Sequence, residues 1–187
     1  RRVLFRSIGT VLKDCNSSMI IGLMGYAQSG KDEVARILVE KYGFERRAFA
    51  DKIRDILYDL NPMIGGEPLK LKVDVEGWDK AKQHFEIRRL LQTLGVSARQ
   101  HIKESVWITS AFAEMDLEKN YVISDVRFSN EAYMVRALSG ELWRVERPSV
   151  GPVNNHVSEK QLENLSADRT LLNEGTLRSA EHTSELQ

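Results

Sequence analysis

Apolar positions along this chain recur with two periods, one of strands and one of helices, and the two take turns from residue 20 onward. Ile20-Ile21-Gly22-Leu23-Met24 is an apolar run of strand length. From about Lys31, Val34, Leu38 and Tyr42 recur at helical spacing with Ala35 and Ile37 beside them, and Gly43 supplies the stop. Phe44–Ala50 reads as a second strand. Asp51 then reads as the cap of a helix whose Ile53, Ile56, Leu57 and Leu60 face inward, ended by Asn61-Pro62. Past Gly65-Gly66, Leu69, Leu71, Val73 and Val75 alternate with Lys70, Lys72 and Asp74 as in a half-buried strand, inside what reads as an insertion. Helices are expected from about Asp79 to Leu94, closed by Gly95, and from about Ala98 to Met115. Tyr121–Asp125 reads as a buried strand closing on a carboxylate, Glu131–Leu138 as a helix, Glu141–Val145 as a strand and Arg169–Asn173 as the last strand. Glu174-Gly175-Thr176 opens a further helix. Alternating strands and helices predict an α/β fold whose mainly parallel sheet is covered on both faces.

The two ends change how much of the chain this pattern covers. Arg178–Ser184 can be encoded by AGA TCG GCA GAG CAC ACG TCT, whose opposite strand encodes Arg-Arg-Val-Leu-Cys-Arg-Ser. Arg1–Ser7 agrees with that peptide except for Phe5, which one base change explains. Residues 1–7 and 178–187 therefore resemble translated sequencing adapters and are left out of the fold reading. Ile8–Ser18 reads as a leader ahead of a start at Met19, and 19–177 as one domain that the second adapter cuts short. The whole chain has a formal net charge of zero, and the body between the ends stays close to neutral, which argues against a general nucleic-acid-binding surface. No apolar stretch is long enough to span a bilayer, and the lone Cys15 falls in the leader, so disulfides and thiolate metal sites are not expected. A cytoplasmic protein, with neither membrane nor nucleic acid as partner, is the expectation.

The chemistry starts where the first strand meets the first helix. Gly25-Tyr-Ala-Gln-Ser-Gly30-Lys31 joins them, and a glycine loop there is a phosphate cradle: backbone N–H groups and the helix dipole face an anion, and Lys31 adds a positive charge. The position after Lys31 usually offers a hydroxyl to Mg²⁺; here it is Asp32, whose carboxylate can hold the ion or cap the helix. Asp125, at the end of its strand, is placed to face the same phosphates and help position Mg²⁺. Arg127, two residues further, is expected to touch a phosphate or an acidic partner. The polar stretch from Glu146 to about Glu163, with Arg147, Asn154, Asn155 and His156, suits either a lid or a solvated loop. No catalytic histidine is needed if the acceptor is a phosphate monoester, since its second pKa near ~6 leaves it already ionised.

Several segments together resemble the deoxynucleoside monophosphate kinases of bacteriophages: Gly25–Asp32, Phe49–Arg54, Arg89–Gly95, Ser124–Glu131, Arg147-Pro148, His156–Glu159 and Asn173–Thr176. The resemblance implies a three-layer P-loop kinase fold with a helical monophosphate-binding insertion (about 51–116) and a short lid (about 146–163). It implies ATP and a deoxynucleoside monophosphate as substrates, with Mg²⁺. Gly25, Gln28, Ser29, Gly30, Lys31 and Asp32 would bind the ATP phosphates, Asp32 and Asp125 the metal. Asp51, Arg54, Arg89, Gln92 and Arg99 would line the monophosphate side. Arg127 and Glu131 would bridge the two, Arg127 acting in catalysis with Lys31 and Arg147; Arg147 and His156 would belong to the lid; Asn173 and Gly175 would lie near the adenine. A homodimer is admitted without being indicated. The alternatives are a related kinase of phosphomevalonate or dephospho-coenzyme A type, and a non-catalytic nucleotide-binding switch.

Overall fold

A computed structural model of the chain describes residues 18–113, 115–148, 150–151 and 161–174, together with 8, 9 and 12. In chain order its elements are β1 (Ile20–Met24), α1 (Lys31–Tyr42), β2 (Glu45–Arg47), α2 (Ala50–Leu60), β3 (Met63–Ile64), β4 (Glu67–Pro68), α3 (Leu69–Ala81), α4 (Phe85–His101), α5 (Val106–Phe112), β5 (Tyr121–Ile123), α6 (Ser129–Ala137), β6 (Glu141–Glu146) and β7 (Arg169–Leu172). They divide into two units, one of Arg1–Arg47 with Asp116–Gln187 and the other of Ala48–Met115.

The first unit is the expected parallel sheet. Its five strands run in the order β2-β5-β1-β6-β7, and every pairing is parallel. On one face Ile21 and Leu23 of β1 pack with Val34, Ala35, Ile37 and Leu38 of α1, all buried, and with Val122, Trp143, Val145 and Leu171 from the neighbouring strands. Burying side chains of this size contributes roughly 1.5–3 kcal/mol each. Ile8, assigned to the leader in the sequence reading, packs with the same cluster. On the other face Gly22 leaves room for neighbours: a Cβ there would lie 2.9 Å from Leu142 and 3.0 Å from Val126. With β1 central, the chain passes first to the β2 side and then to the β6 side. Such a reversal opens a crevice at the carboxyl ends of the strands, where ligands of α/β sheets bind. Along the outer edge, Arg169 of β7 donates to Glu141 of β6 at 2.8 and 3.2 Å, and Trp143 Nε1 donates to it at 2.7 Å. The Arg169 guanidinium, followed by the indole N–H, holds the Glu141 carboxyl below the usual carboxylate range.

The second unit departs from the expectations in three places. Leu69, Leu71, Val73 and Val75 lie on α3, not on a strand: Leu69 and Val73 are buried, while Leu71 and Val75 are 52 % and 78 % exposed. Spacing of two is also half of spacing of four, so one alternating quartet fits either element until its ends decide. Here Pro68 stands at the helix entrance, Lys70 N–H donates to Asn61 Oδ1 at 2.9 Å and Leu69 N–H to the Pro62 carbonyl at 2.9 Å. The loop before it is a short hairpin, with Gly65 and Gly66 at φ 59° and 89° as a two-residue turn demands.

Gly95 does not end a helix either, since α4 runs through it to His101. A Cβ there would meet Ile53 Cδ1 at 3.2 Å, and its carbonyl accepts a hydrogen bond from Trp107 Nε1 at 2.9 Å. The glycine serves helix packing; the helix expected from Asp79 to Leu94 is interrupted at residues 82–84, continues past Leu94 to His101, and leaves α5 short at Val106–Phe112. Asp51 is the third difference: Phe49 holds the cap position and Asp51 lies inside the first turn of α2.

Candidate active site

The phosphate loop is built by backbone that only particular residues tolerate. Gly25 (φ 147°), Gln28 (φ 66°) and Gly30 (φ 105°) all have positive φ. A Cβ on Gly25 would fall 2.3 Å from the Val145 carbonyl oxygen, so the loop can pass beside β6 only as glycine. Lys31 opens α1 and folds its ammonium back over the loop, donating to the carbonyls of Gly25 at 2.7 Å and Tyr26 at 2.6 Å. The positive charge is thereby held at the mouth of the helix N-terminus, where an anion is favoured. Ser29 is 1 % exposed, and its hydroxyl has no hydrogen-bond partner among the described residues. Asp32 is exposed in the first turn of α1 beside Glu33.

Asp125 is held at the same edge of the sheet by the bonds on either side of it. Ser124 N–H donates to the Arg47 carbonyl at 2.9 Å and Val126 N–H to the Leu23 carbonyl at 3.0 Å. Leu23 is two residues ahead of Gly25, so the backbone at Asp125, two residues past β5, lies by the strand that leads into the loop. Glu131 is 3 % exposed, and its Oε2 accepts the N–H groups of Arg127 at 2.8 Å and Phe128 at 3.1 Å. This closes the N-terminus of α6 and fixes the backbone at Arg127, whose side chain is exposed.

Further side chains reach the loop and the strand beside it from residues 161–173 and from β6. The Asn173 side chain, expected near an adenine, donates from Nδ2 to the Ser29 carbonyl at 3.0 Å, and its backbone N–H donates to the Glu146 carbonyl at 2.7 Å. Arg144 of β6 turns its Nη2 toward the carbonyls of Leu162 and Leu165. Tyr26 of the loop donates its hydroxyl to Glu163 Oε1 at 3.1 Å. Residues 161–165, at the far end of the expected lid, are thus tied both to β6 and to the phosphate loop. Arg147 is half-buried, and its carbonyl accepts the Val150 N–H at 2.9 Å. His156 and Gly175, the helix opening at 174–176 and both adapter-like ends reach beyond the described residues.

In the second unit, Asp51 Oδ2 accepts the Ala48 N–H at 3.0 Å while Oδ1 lies 3.8 Å from Arg54 Nη1. On α4, Arg89, Gln92 and Arg99 occupy the side turned away from the buried Ile87 and Ala98; Arg89 is exposed, Gln92 and Arg99 half-buried.

Sequence reasoning missed the role of Asn173 toward the loop and the link from Tyr26 to Glu163. A signal existed for the first, because Asn173 directly follows β7 as Asp125 comes two residues after β5. No local pattern marks the second, which joins residues 137 positions apart.

A parallel sheet with its reversal at β1, a glycine loop closing on the first helix and a carboxylate at the next strand end define the P-loop kinase class of α/β proteins. Within it, the model of the deoxynucleotide monophosphate kinase family matches residues 70–183, and the chain belongs to that family. A provisionally named deoxynucleotide monophosphate kinase of Acanthamoeba polyphaga mimivirus is 28% identical over 174 residues, covering 85% of this chain and 90% of that protein. Among solved structures, shikimate kinase from Aquifex aeolicus aligns with a TM-score of 0.42 at 10% identity, over 84% of this chain and 89% of its own. TT1252 from Thermus thermophilus aligns with 0.34 at 13%, over 87% and 92%. Among the described residues no helix is long and apolar enough to cross a membrane.

Proposed function

We propose that this protein transfers the γ-phosphoryl group of ATP to a deoxynucleoside 5′-monophosphate, giving ADP and the deoxynucleoside diphosphate. The family match is the observation that carries the reading, and Gly25–Lys31 supplies the chemistry it requires. A phosphate oxygen of the acceptor attacks the γ-phosphorus as the bond to the β,γ-bridging oxygen breaks, and ADP leaves with that oxygen. Both partners are anionic and the acceptor is already ionised, so the protein's task is to position them and neutralise charge. Lys31 does this at the phosphate loop, with Arg127 and Arg147 as further cations. Asp51, Arg54, Arg89, Gln92 and Arg99 hold the acceptor.

Among the described residues no three His, Cys, Asp or Glu side chains gather. A divalent cation would therefore rest on few protein groups, with phosphate oxygens and water completing its shell. That is the habit of Mg²⁺; Asp32 and Asp125 are the carboxylates that would hold it, and its charge would offset that of the phosphates. The setting we propose is DNA-precursor supply in the cytoplasm of a phage-infected bacterium.

The test is coupled ADP release with ATP and Mg²⁺, offering each deoxynucleoside monophosphate in turn. Release should depend on the deoxynucleotide and fall by about a thousandfold or more in Lys31→Ala, given what electrostatic groups at such sites supply. ATP binding without consumption of any deoxynucleotide would sink the reading.

A further inference from the structure

The backbone of the phosphate loop is held from outside by the side chain of Asn173, which is not part of the loop. Asn173 follows β7, the edge strand of the first unit, and its backbone N–H is fixed on the Glu146 carbonyl at 2.7 Å. From that anchored position its Nδ2 donates to the Ser29 carbonyl at 3.0 Å. The acceptor is a carbonyl oxygen, so the amide nitrogen must be the atom facing it.

The peptide plane turns this contact into control of the site. In a trans peptide the C=O and the following N–H point in opposite directions. Pinning the Ser29 carbonyl on Asn173 therefore aims the Gly30 N–H away from Asn173. That N–H belongs to the cap residue of α1 and has no partner among the described residues, whereas the Gly30 carbonyl already accepts Val34 N–H at 3.1 Å. A donor left open at a helix N-terminus is what an anionic oxygen needs. Gly30 shows the same dependence sterically: a Cβ there would lie 2.3 Å from Asn173 Nδ2, so the amide occupies the space that any side chain would take.

We infer that Asn173 is a positioning residue for the phosphate loop, acting on the polyphosphate of the nucleotide through the Ser29–Gly30 peptide and not through the base. The inference rests on the first unit as a phosphate-binding site, and it does not require that the acceptor be a deoxynucleotide.

The experiment compares Asn173→Ala and the isosteric Asn173→Asp with the unmodified chain, measuring calorimetric affinity for ATP and for inorganic tripolyphosphate, which has no base. Asn173→Ala removes the donor, and Asn173→Asp sets a carboxylate oxygen against a carbonyl. Affinity for both probes should fall in parallel, by about tenfold in Asn173→Ala and by more in Asn173→Asp. KM for ATP should rise with it while KM for the acceptor stays in place. Loss of affinity for ATP with tripolyphosphate unchanged would assign Asn173 to the base and overturn the inference. Affinities within twofold of the unmodified chain in both folded variants would overturn it too. If the unmodified chain bound both probes but phosphorylated no deoxynucleotide, the proposed reaction would fall and the role of Asn173 would still be decided by the two affinities.

Discussion

A side chain at position 25 would have nowhere to go. The built Cβ lies 2.3 Å from a backbone oxygen of β6 and 2.9 Å from the Ser29 hydroxyl, and φ is 147°. The first of these neighbours is main chain held in a strand ladder and cannot swing aside as a side-chain tip could. Gly25→Ala is therefore expected to cost about 2–3 kcal/mol of stability, from overpacking and from backbone strain together. Urea unfolding measures the first effect. Calorimetry with ATP should show the second, a loss of nucleotide affinity, because the loop must shift to admit the methyl group. Unchanged stability and affinity would mean that the loop does not pass beside Val145. Lys31 differs in kind, since its ammonium bonds loop carbonyls that it can satisfy from any of several directions. Its charge matters more than its shape.

At the scale of elements, α3 is the clearest test of period against context. If Leu69–Glu76, the part of α3 before the non-helical Gly77 (φ 74°), is helical, Leu69 is core and Leu71 is surface; if it were a strand, the two would share one face. Leu69→Ala should destabilise by about 2–5 kcal/mol, as for a fully buried leucine, while Leu71→Lys should stay within about 0.5 kcal/mol of the unmodified chain. Thermal unfolding of both variants checks this, and equal losses would restore the strand. The example also marks how far elements could be read from the residues. β1, α1 and its Gly43 stop, α6 and β6 were legible because a long run of one period lies between recognisable ends. Residues 61–84 were not, because Pro68 and Asn61 set the register of α3 from outside the apolar quartet. Gly95 likewise carries a stop signal while serving as a packing notch against Ile53. The phosphate loop was legible as local sequence. The clamp from Asn173 was not, being set by strand pairing between β6 and β7.

At the scale of the molecule, the proposed donor and acceptor residues fall into separate units. Gly25–Asp32, Asp125, Arg127 and Asn173 belong to the first unit, whereas Asp51, Arg54, Arg89, Gln92 and Arg99 lie in the single continuous stretch Ala48–Met115. A chain with no net charge must bind two polyanions through local groups of this kind, not through its overall field. If each unit serves one substrate, the two affinities should be separable by mutation. Arg89 is exposed, and Arg54 sits 3.8 Å from Asp51, longer than a hydrogen bond, so a phosphate can compete for it. Arg54→Ala and Arg89→Ala should each raise KM for the deoxynucleoside monophosphate by about 10–100-fold, the worth of a charge-assisted bond. ATP affinity, measured without acceptor, should stay within about twofold. Lys31→Ala should do the reverse. If the two substrates are held independently, combining Arg89→Ala with Lys31→Ala should leave the two binding losses additive within about 0.5 kcal/mol. Steady-state kinetics in both substrates, beside calorimetry with ATP, resolves the four variants. Acceptor KM unmoved by either arginine would remove Ala48–Met115 as the acceptor side, and an equal loss of ATP affinity in all of them would mean that the two groups of residues do not divide the substrates between them.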